Sequence, residues 1–147
     1  MTYAEALDVA LCYGWIDGQK QRGDEKSWLQ KFTRRQPRSV WSRINVGHVE
    51  RLTRQGRMKP AGMTAVKAAK ADGRWKRAYT SSSKAEMPAE FMQALAKFPK
   101  AETFFNTLNK ANRYAIVYRL QTAKRPETRT KRLNEFITML RRGEKLH

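Results

Sequence analysis

Apolar and polar positions recur along this chain with two different periods, and the change of period divides it. Ala6, Val9, Ala10 and Tyr13 stand at helical spacing. Thr2 is placed to cap that helix, with Glu5 as its reciprocal partner, and Gly14 is placed to stop it. A helix is therefore predicted over residues 3–13. From Trp15 the period shortens. Trp15-Ile16-Asp17-Gly18 reads as a turn into an extended segment, and Gly23-Asp24-Glu25-Lys26 as a second turn. Trp28, Gln30 and Phe32 then alternate with Leu29 and Lys31. Two short extended segments about a Gly-Asp turn predict a β-hairpin.

Helical spacing returns after the basic linker Arg34-Arg35-Gln36-Pro37-Arg38. Pro37 turns Gln36 away from helix, and Ser39 is the expected N-cap of the next one. On a wheel, Trp41, Ile44, Asn45, His48, Val49 and Leu52 share one arc, opposite Arg43, Glu50 and Arg54, as far as Gly56. Pro60 opens a further helix with Met63, Val66 and Ala69 on one face, closed by Asp72-Gly73. Trp75 and Tyr79 are expected to fold back on the core. Thr80-Ser81-Ser82-Ser83-Lys84 is the strongest linker signal. Beyond it, Phe91, Leu95 and Phe98 mark one helix, and Phe104, Phe105 and Leu108 mark a second that starts at Pro99. Asn109 caps a third, apolar on two sides through Tyr114, Val117 and Tyr118 and through Ile116 and Leu120. Pro126 restarts the chain into a stripe of Leu133, Phe136, Ile137 and Leu140 that ends at Gly143.

The elements predict an α+β fold, predominantly α-helical, with a short N-terminal β-hairpin packed on helices followed by a C-terminal helical bundle. Residues 1–79 form the helix, hairpin and two-helix part. Residues 80–87 are a Ser-rich loop, and residues 88–147 the C-terminal helical part, expected to form one compact unit with the first. A hydrophobic fraction of 40% over 147 residues suffices for a core. No apolar run approaches the roughly 20 residues that span a bilayer, and no signal peptide is visible. The single cysteine, Cys12, excludes an internal disulfide and a multi-cysteine metal site, so a reducing, cytoplasmic location is expected.

Charge changes the picture most. The net charge is +18, distributed as −1 over residues 1–33, +11 over 34–79 and +8 over 80–147. Such a field attracts polyanions: a nucleic acid, an anionic lipid or an acidic protein. Arginine forks suit phosphate and carboxylate oxygens, so Arg35, Arg38, Arg43 and Arg57, with a helix start at Ser39, form the candidate anion- and partner-binding set. Lys124, Arg125, Arg129 and Arg132 form a second basic cluster. Arg129 falls on the apolar arc of the last helix, where it is expected to meet an acid. Trp15 and Asp17 make a candidate functional turn. His48 reads as a packed, hydrogen-bonded residue, and His147 as a frayed terminus. No catalytic set, metal-ligand spacing or phosphate loop is present, and no cofactor is called for. Three functions follow, in this order: a non-enzymatic protein that binds an anionic partner, a nucleic-acid-binding protein, and an enzyme that uses Asp17.

Several motifs together resemble the YdeI/OmpD-associated family, also called bacteriocin-protection proteins. They are Glu5-Ala6-Leu7-Asp8 through Cys12-Tyr13-Gly14-Trp15-Ile16-Asp17-Gly18; Phe32-Thr33 through Arg35, Pro37-Arg38-Ser39, Trp41-Ser42 and Ile44-Asn45; Gly56-Arg57-Met58 with Pro60-Ala61-Gly62; and Ala123-Lys124-Arg125-Pro126-Glu127-Thr128-Arg129 leading to Arg132. The chain departs from the family pattern at Arg34, where proline is usual, and at His48, where a basic residue is usual. The family's customary segment ahead of the first helix is missing from the sequence, which is expected to leave apolar surface exposed near the hairpin. The resemblance implies a bacterial protein tied by name to bacteriocin protection and porin association, and it brings no reaction or catalytic residue.

Overall fold

A computed structural model describes residues 1–147 and divides the chain into two compact units, Met1–Lys76 and Arg77–His147. The division falls between Lys76 and Arg77. The fold is α+β and mainly helical, as predicted.

In the N-terminal unit, α1 (Tyr3–Cys12) opens on the predicted capping box. Thr2 Oγ1 accepts from Glu5 N–H at 3.3 Å, and Glu5 Oε2 accepts from Thr2 N–H at 2.7 Å. Gly14 takes φ +77°, a conformation that favours glycine, and redirects the chain into β1 (Trp15–Arg22). β1 pairs antiparallel with β2 (Trp28–Arg34), setting Trp15 opposite Arg34, Asp17 opposite Phe32, Lys20 opposite Gln30 and Arg22 opposite Trp28. Between Asp17 and Lys20, Gly18 and Gln19 face Lys31 alone. This is a β-bulge, and Gln30 Nε2 donates to Gly18 O there at 2.8 Å.

α2 spans Arg43–Arg54 and α3 spans Pro60–Ala71. α1 packs on β1, α2 and α3. The core joins Leu7 and Leu11 to Val46, Val49, Leu52, Val66 and Ala69. The end of α1 abuts the start of α3: Lys59 N–H donates to Cys12 O at 3.0 Å. A carbonyl left over at a helix C-terminus thus meets an amide just ahead of a helix N-terminus, and opposite ends of two macrodipoles come together. Gly62 permits the approach, since a Cβ there would sit 2.2 Å from Cys12 O.

The C-terminal unit holds α4 (Ala89–Ala96), α5 (Pro99–Asn106), α6 (Lys110–Gln121) and α7 (Pro126–Arg141). Pro99 and Pro126 occupy first-turn positions, and Asn109 Oδ1 accepts from Asn112 N–H at 2.9 Å, as the sequence predicts. α4 and α5 are too short to persist alone. Packing holds them: Phe91, Leu95, Phe105, Ile116, Leu120, Phe136 and Leu140 form one buried cluster. The Ser-rich loop is anchored at its start. Thr80 N–H donates to Gln121 Oε1 at 3.0 Å, and Tyr114 OH donates to Thr80 O at 2.9 Å. His147, expected to fray, donates its N–H to Asn112 Oδ1 at 3.2 Å.

Candidate anion-binding surface

The basic linker folds around tryptophan. Arg35 is 8% exposed, its guanidinium carbon lies 3.6 Å from the Trp41 ring centroid, and Nη1 donates to Val40 O at 2.9 Å. Trp41 packs in turn on Trp75, with ring centroids 4.9 Å apart, and Lys70 Nζ lies 5.3 Å from the Trp75 ring. Cations over the two indoles form a ladder in which the inner charge is desolvated. Arg35 therefore leaves the set of surface contacts predicted for a partner. It is a packing residue.

Ser39 also differs from expectation. The N-cap of α2 is Ser42, whose Oγ accepts from Asn45 N–H at 3.1 Å. Ser39 closes a turn instead: its N–H donates to Gln36 O and its Oγ accepts from Gln36 N–H, both at 3.0 Å. The helix start predicted at Ser39 thus lies at Ser42, between the exposed Arg38 and Arg43. The carbonyl of Ser39 accepts from Arg74 Nη1 at 2.9 Å, and Arg74 Nε is paired to Asp72 at 2.7 Å. Arg43 Nη2 donates to Lys76 O at 3.0 Å. These bonds bring Arg38, Arg43, Arg74 and Lys76 into one region. Within it Arg38 and Arg43 are exposed, and Arg38 forms no ion pair.

Arg57, the last of the predicted anion set, turns to a different partner. Asp8 of α1 receives Arg51 Nη2 at 2.6 Å and Arg57 Nη1 at 3.6 Å. Arg51 Nη2 also lies 3.2 Å from His48 Nδ1. Arginine only donates, so His48 Nδ1 is the acceptor in this contact. The Arg51 hydrogen bond, the largest cause, holds the Asp8 carboxyl below the ordinary aspartate value despite partial burial. Burial pushes the Cys12 thiol upward, which suits a packing residue better than a nucleophile.

Trp15 and Asp17 lie within β1, so the predicted functional turn is a strand. Trp15 is 40% exposed. Asp17 accepts from Tyr3 OH at 2.8 Å, and the Tyr3 ring lies 5.9 Å from Trp28. Burial, reinforced by Asp17, pushes the Tyr3 hydroxyl up to about 12. Asp17 thereby fastens the start of α1 to the hairpin.

The second basic cluster splits in two. Lys124 and Arg125 are exposed. Arg129 pairs with Glu90 and donates Nη1 to Leu120 O at 3.0 Å, while Arg132 donates Nη1 to Arg119 O at 2.6 Å. Leu120 and Arg119 stand in the last turn of α6, where carbonyls lack helical partners and the macrodipole is negative. Both guanidiniums complete that helix end.

Two family models match the chain. Residues 84–143 match the family described as Bacteriocin-protection, YdeI or OmpD-Associated. Residues 1–65 match a domain of unknown function, DUF8412. The last motif behind the resemblance thus falls in the first family, and the three N-terminal motifs fall in the second. No curated protein and no solved structure matches the chain.

Proposed function

We propose, from the match of residues 84–143 to the family described as Bacteriocin-protection, YdeI or OmpD-Associated, that the chain is a non-catalytic protection protein that engages an anionic partner through its N-terminal unit. One observation carries the reading. Residues 34–76 of that unit hold twelve basic residues against two acids, Glu50 and Asp72, net +10, and Asp72 is taken by Arg74. Arg34, Arg38 and Arg54 stand exposed without an ion pair. Surface charge of one sign focuses a field that recruits a partner of the other. The contacts proposed are Arg34, Arg38, Arg43 and Arg54. Arg35 and Arg57, occupied by Trp41 and Asp8, support the scaffold.

The test is capture of partners from bacterial lysate, with and without nuclease, by wild type and by an Arg34→Glu/Arg38→Glu variant. Wild type is expected to retain an acidic partner that the variant loses while keeping its thermal transition. Equal capture by both removes the site assignment.

A second reading, nucleic acid as the anion, draws on the register of the hairpin. Trp15 and Trp28, about two-fifths exposed, stand opposite Arg34 and Arg22, and Lys20 Nζ lies 3.9 Å from the Trp28 ring. Aromatic faces beside cations are what base stacking uses. In that case capture is nuclease-sensitive, and affinity for duplex DNA falls with salt by about 0.9 log units per log unit for each phosphate neutralised.

A further inference from the structure

Two concavities meet on the C-terminal unit, on either side of Ser82, Lys110 and Tyr114. One, of about 580 Å³, is walled by Met87, Met92, Phe105, Leu108 and Val117. The other, of about 880 Å³, carries Tyr79, Tyr118 and Arg119. Small-ligand sites commonly span roughly 300–1,000 Å³, mostly apolar with a few convergent polar groups. The first cavity has that composition. Phe105, Leu108 and Val117 belong to the buried layer beneath it, and methionine side chains adapt to the shape of an apolar guest.

Every charge at this cavity is positive. Arg113 is held at its edge, with Nε donating to Leu108 O at 3.2 Å, Nη2 to Asn106 O at 3.2 Å, and its guanidinium carbon 5.0 Å from the Phe105 ring centroid. Lys110 lines both concavities, makes no ion pair, and is the first residue of α6, where the helix dipole adds to its charge. No aspartate or glutamate lines either one, and the one carboxylate among the lining residues is the terminal group of His147, which lines the second concavity and not the first. The Tyr114 hydroxyl is committed to Thr80 O, which fixes its ring as the wall between the two.

We propose that the C-terminal unit binds an amphiphilic anion, an acyl or alkyl chain ending in carboxylate or phosphate, with the chain on the methionine-lined floor and the anionic head at Lys110. This site is separate from the arginine surface of the N-terminal unit, and its success or failure does not bear on that reading.

The experiment titrates the full chain, labelled with ¹³C-methyl methionine, with dodecanoate and dodecyl phosphate below their micelle concentrations. The Met87 and Met92 resonances are expected to move, while Met58 and Met63 of the other unit stay. Decanoate is expected to bind more weakly, by about fourfold for each methylene removed. Lys110→Glu is expected to weaken dodecanoate about tenfold, as loss of a charged hydrogen bond does. Met92→Glu, at a position 37% exposed and hence tolerant of change, is expected to abolish the Met87 shift. The proposal fails if dodecyltrimethylammonium binds as well as dodecanoate, or if shifts appear at Met58 and Met63 instead. It also fails if Lys110→Glu changes nothing, or if no monomeric amphiphile binds by about 1 mM. Binding to anionic vesicles without binding to the monomers means a flat membrane contact and overturns it equally.

Discussion

Replacing Gly62 with alanine puts a methyl group where two helix ends already touch. Its Cβ would lie 2.2 Å from Cys12 O, 2.8 Å from Cys12 C and 2.9 Å from Met58 Cε. The methionine end can swing aside, but the backbone carbonyl is fixed by α1. An ordinary C···O approach is about 3.3–3.6 Å, so the start of α3 must retreat by roughly 1 Å. That retreat stretches the 3.0 Å bond from Lys59 N–H to Cys12 O and loosens the packing of Leu11 and Val66. Overpacking of this kind costs about 1–3 kcal/mol, and the weakened backbone bond about 1 kcal/mol more. Alanine returns about 0.5–1 kcal/mol through its helix propensity. The expected net loss is about 2–3 kcal/mol. Gly47 in α2 supplies the control, because a Cβ there meets nothing within 4 Å. Gly47→Ala is expected to stabilise by about 0.5–1 kcal/mol. Urea unfolding followed by tryptophan emission measures both. Trp15, Trp28, Trp41 and Trp75 all lie in the N-terminal unit, so the signal reports that unit alone. Equal effects at the two glycines, or a loss below about 0.5 kcal/mol at Gly62, would refute the close-approach argument.

The Asp8 ion pairs make stability pH-dependent in a known direction. The folded carboxyl titrates below its unfolded value of 3.8, so its contribution is complete well above pH 3.8 and disappears as pH falls through the lower folded value. Asp8→Asn is expected to flatten that acid limb in urea midpoints recorded from pH 7 downward. Arg35→Ala strips the Trp41 face and leaves Val40 O without the Arg35 donor. A loss of roughly 3 kcal/mol is expected in the same tryptophan-detected melt. Arg129→Ala is expected to lower C-terminal-unit stability by roughly 1–2 kcal/mol, read as faster hydrogen exchange at the end of α6, while tryptophan-detected unfolding stays unchanged.

Much of the architecture is written in local signals. The Thr2–Glu5 box, Asn109, Pro60, Pro99 and Pro126 start helices by rules that need no tertiary partner, and the structure follows them. Ser39 and Ser42 both satisfy the cap rule; Ser42 caps the helix, and Ser39 is spent on the turn with Gln36. A wheel that starts at Trp41 begins ahead of the first turn of the helix, so its apolar arc includes Ile44, which is 55% exposed, and omits Val46, which is buried. The candidate site was least legible. No periodicity says which arginine of a basic run will cover an indole, as Arg35 does, or find a carboxylate distant in sequence, as Arg57 finds Asp8 and Arg129 finds Glu90. The signal available for Arg129 was its place on an apolar arc, which is why an acid was expected there.

A sheet of two strands has no interior strand, so β1 and β2 each have one backbone edge without a strand partner. From Trp15 to Arg34 the hairpin carries five basic residues, Lys20, Arg22, Lys26, Lys31 and Arg34, against three acids, Asp17, Asp24 and Glu25, a net charge of +2. Like charges on two approaching copies repel, and the repulsion is screened over about 10 Å at 0.1 M salt. Ionic strength should therefore act on this unit in two opposite senses. Raising it is expected to release the anionic partner proposed for the arginines, and the same screening lowers the repulsion between the edges of two hairpins. Partner capture and sedimentation, each followed across one salt series, are therefore expected to respond in opposite directions.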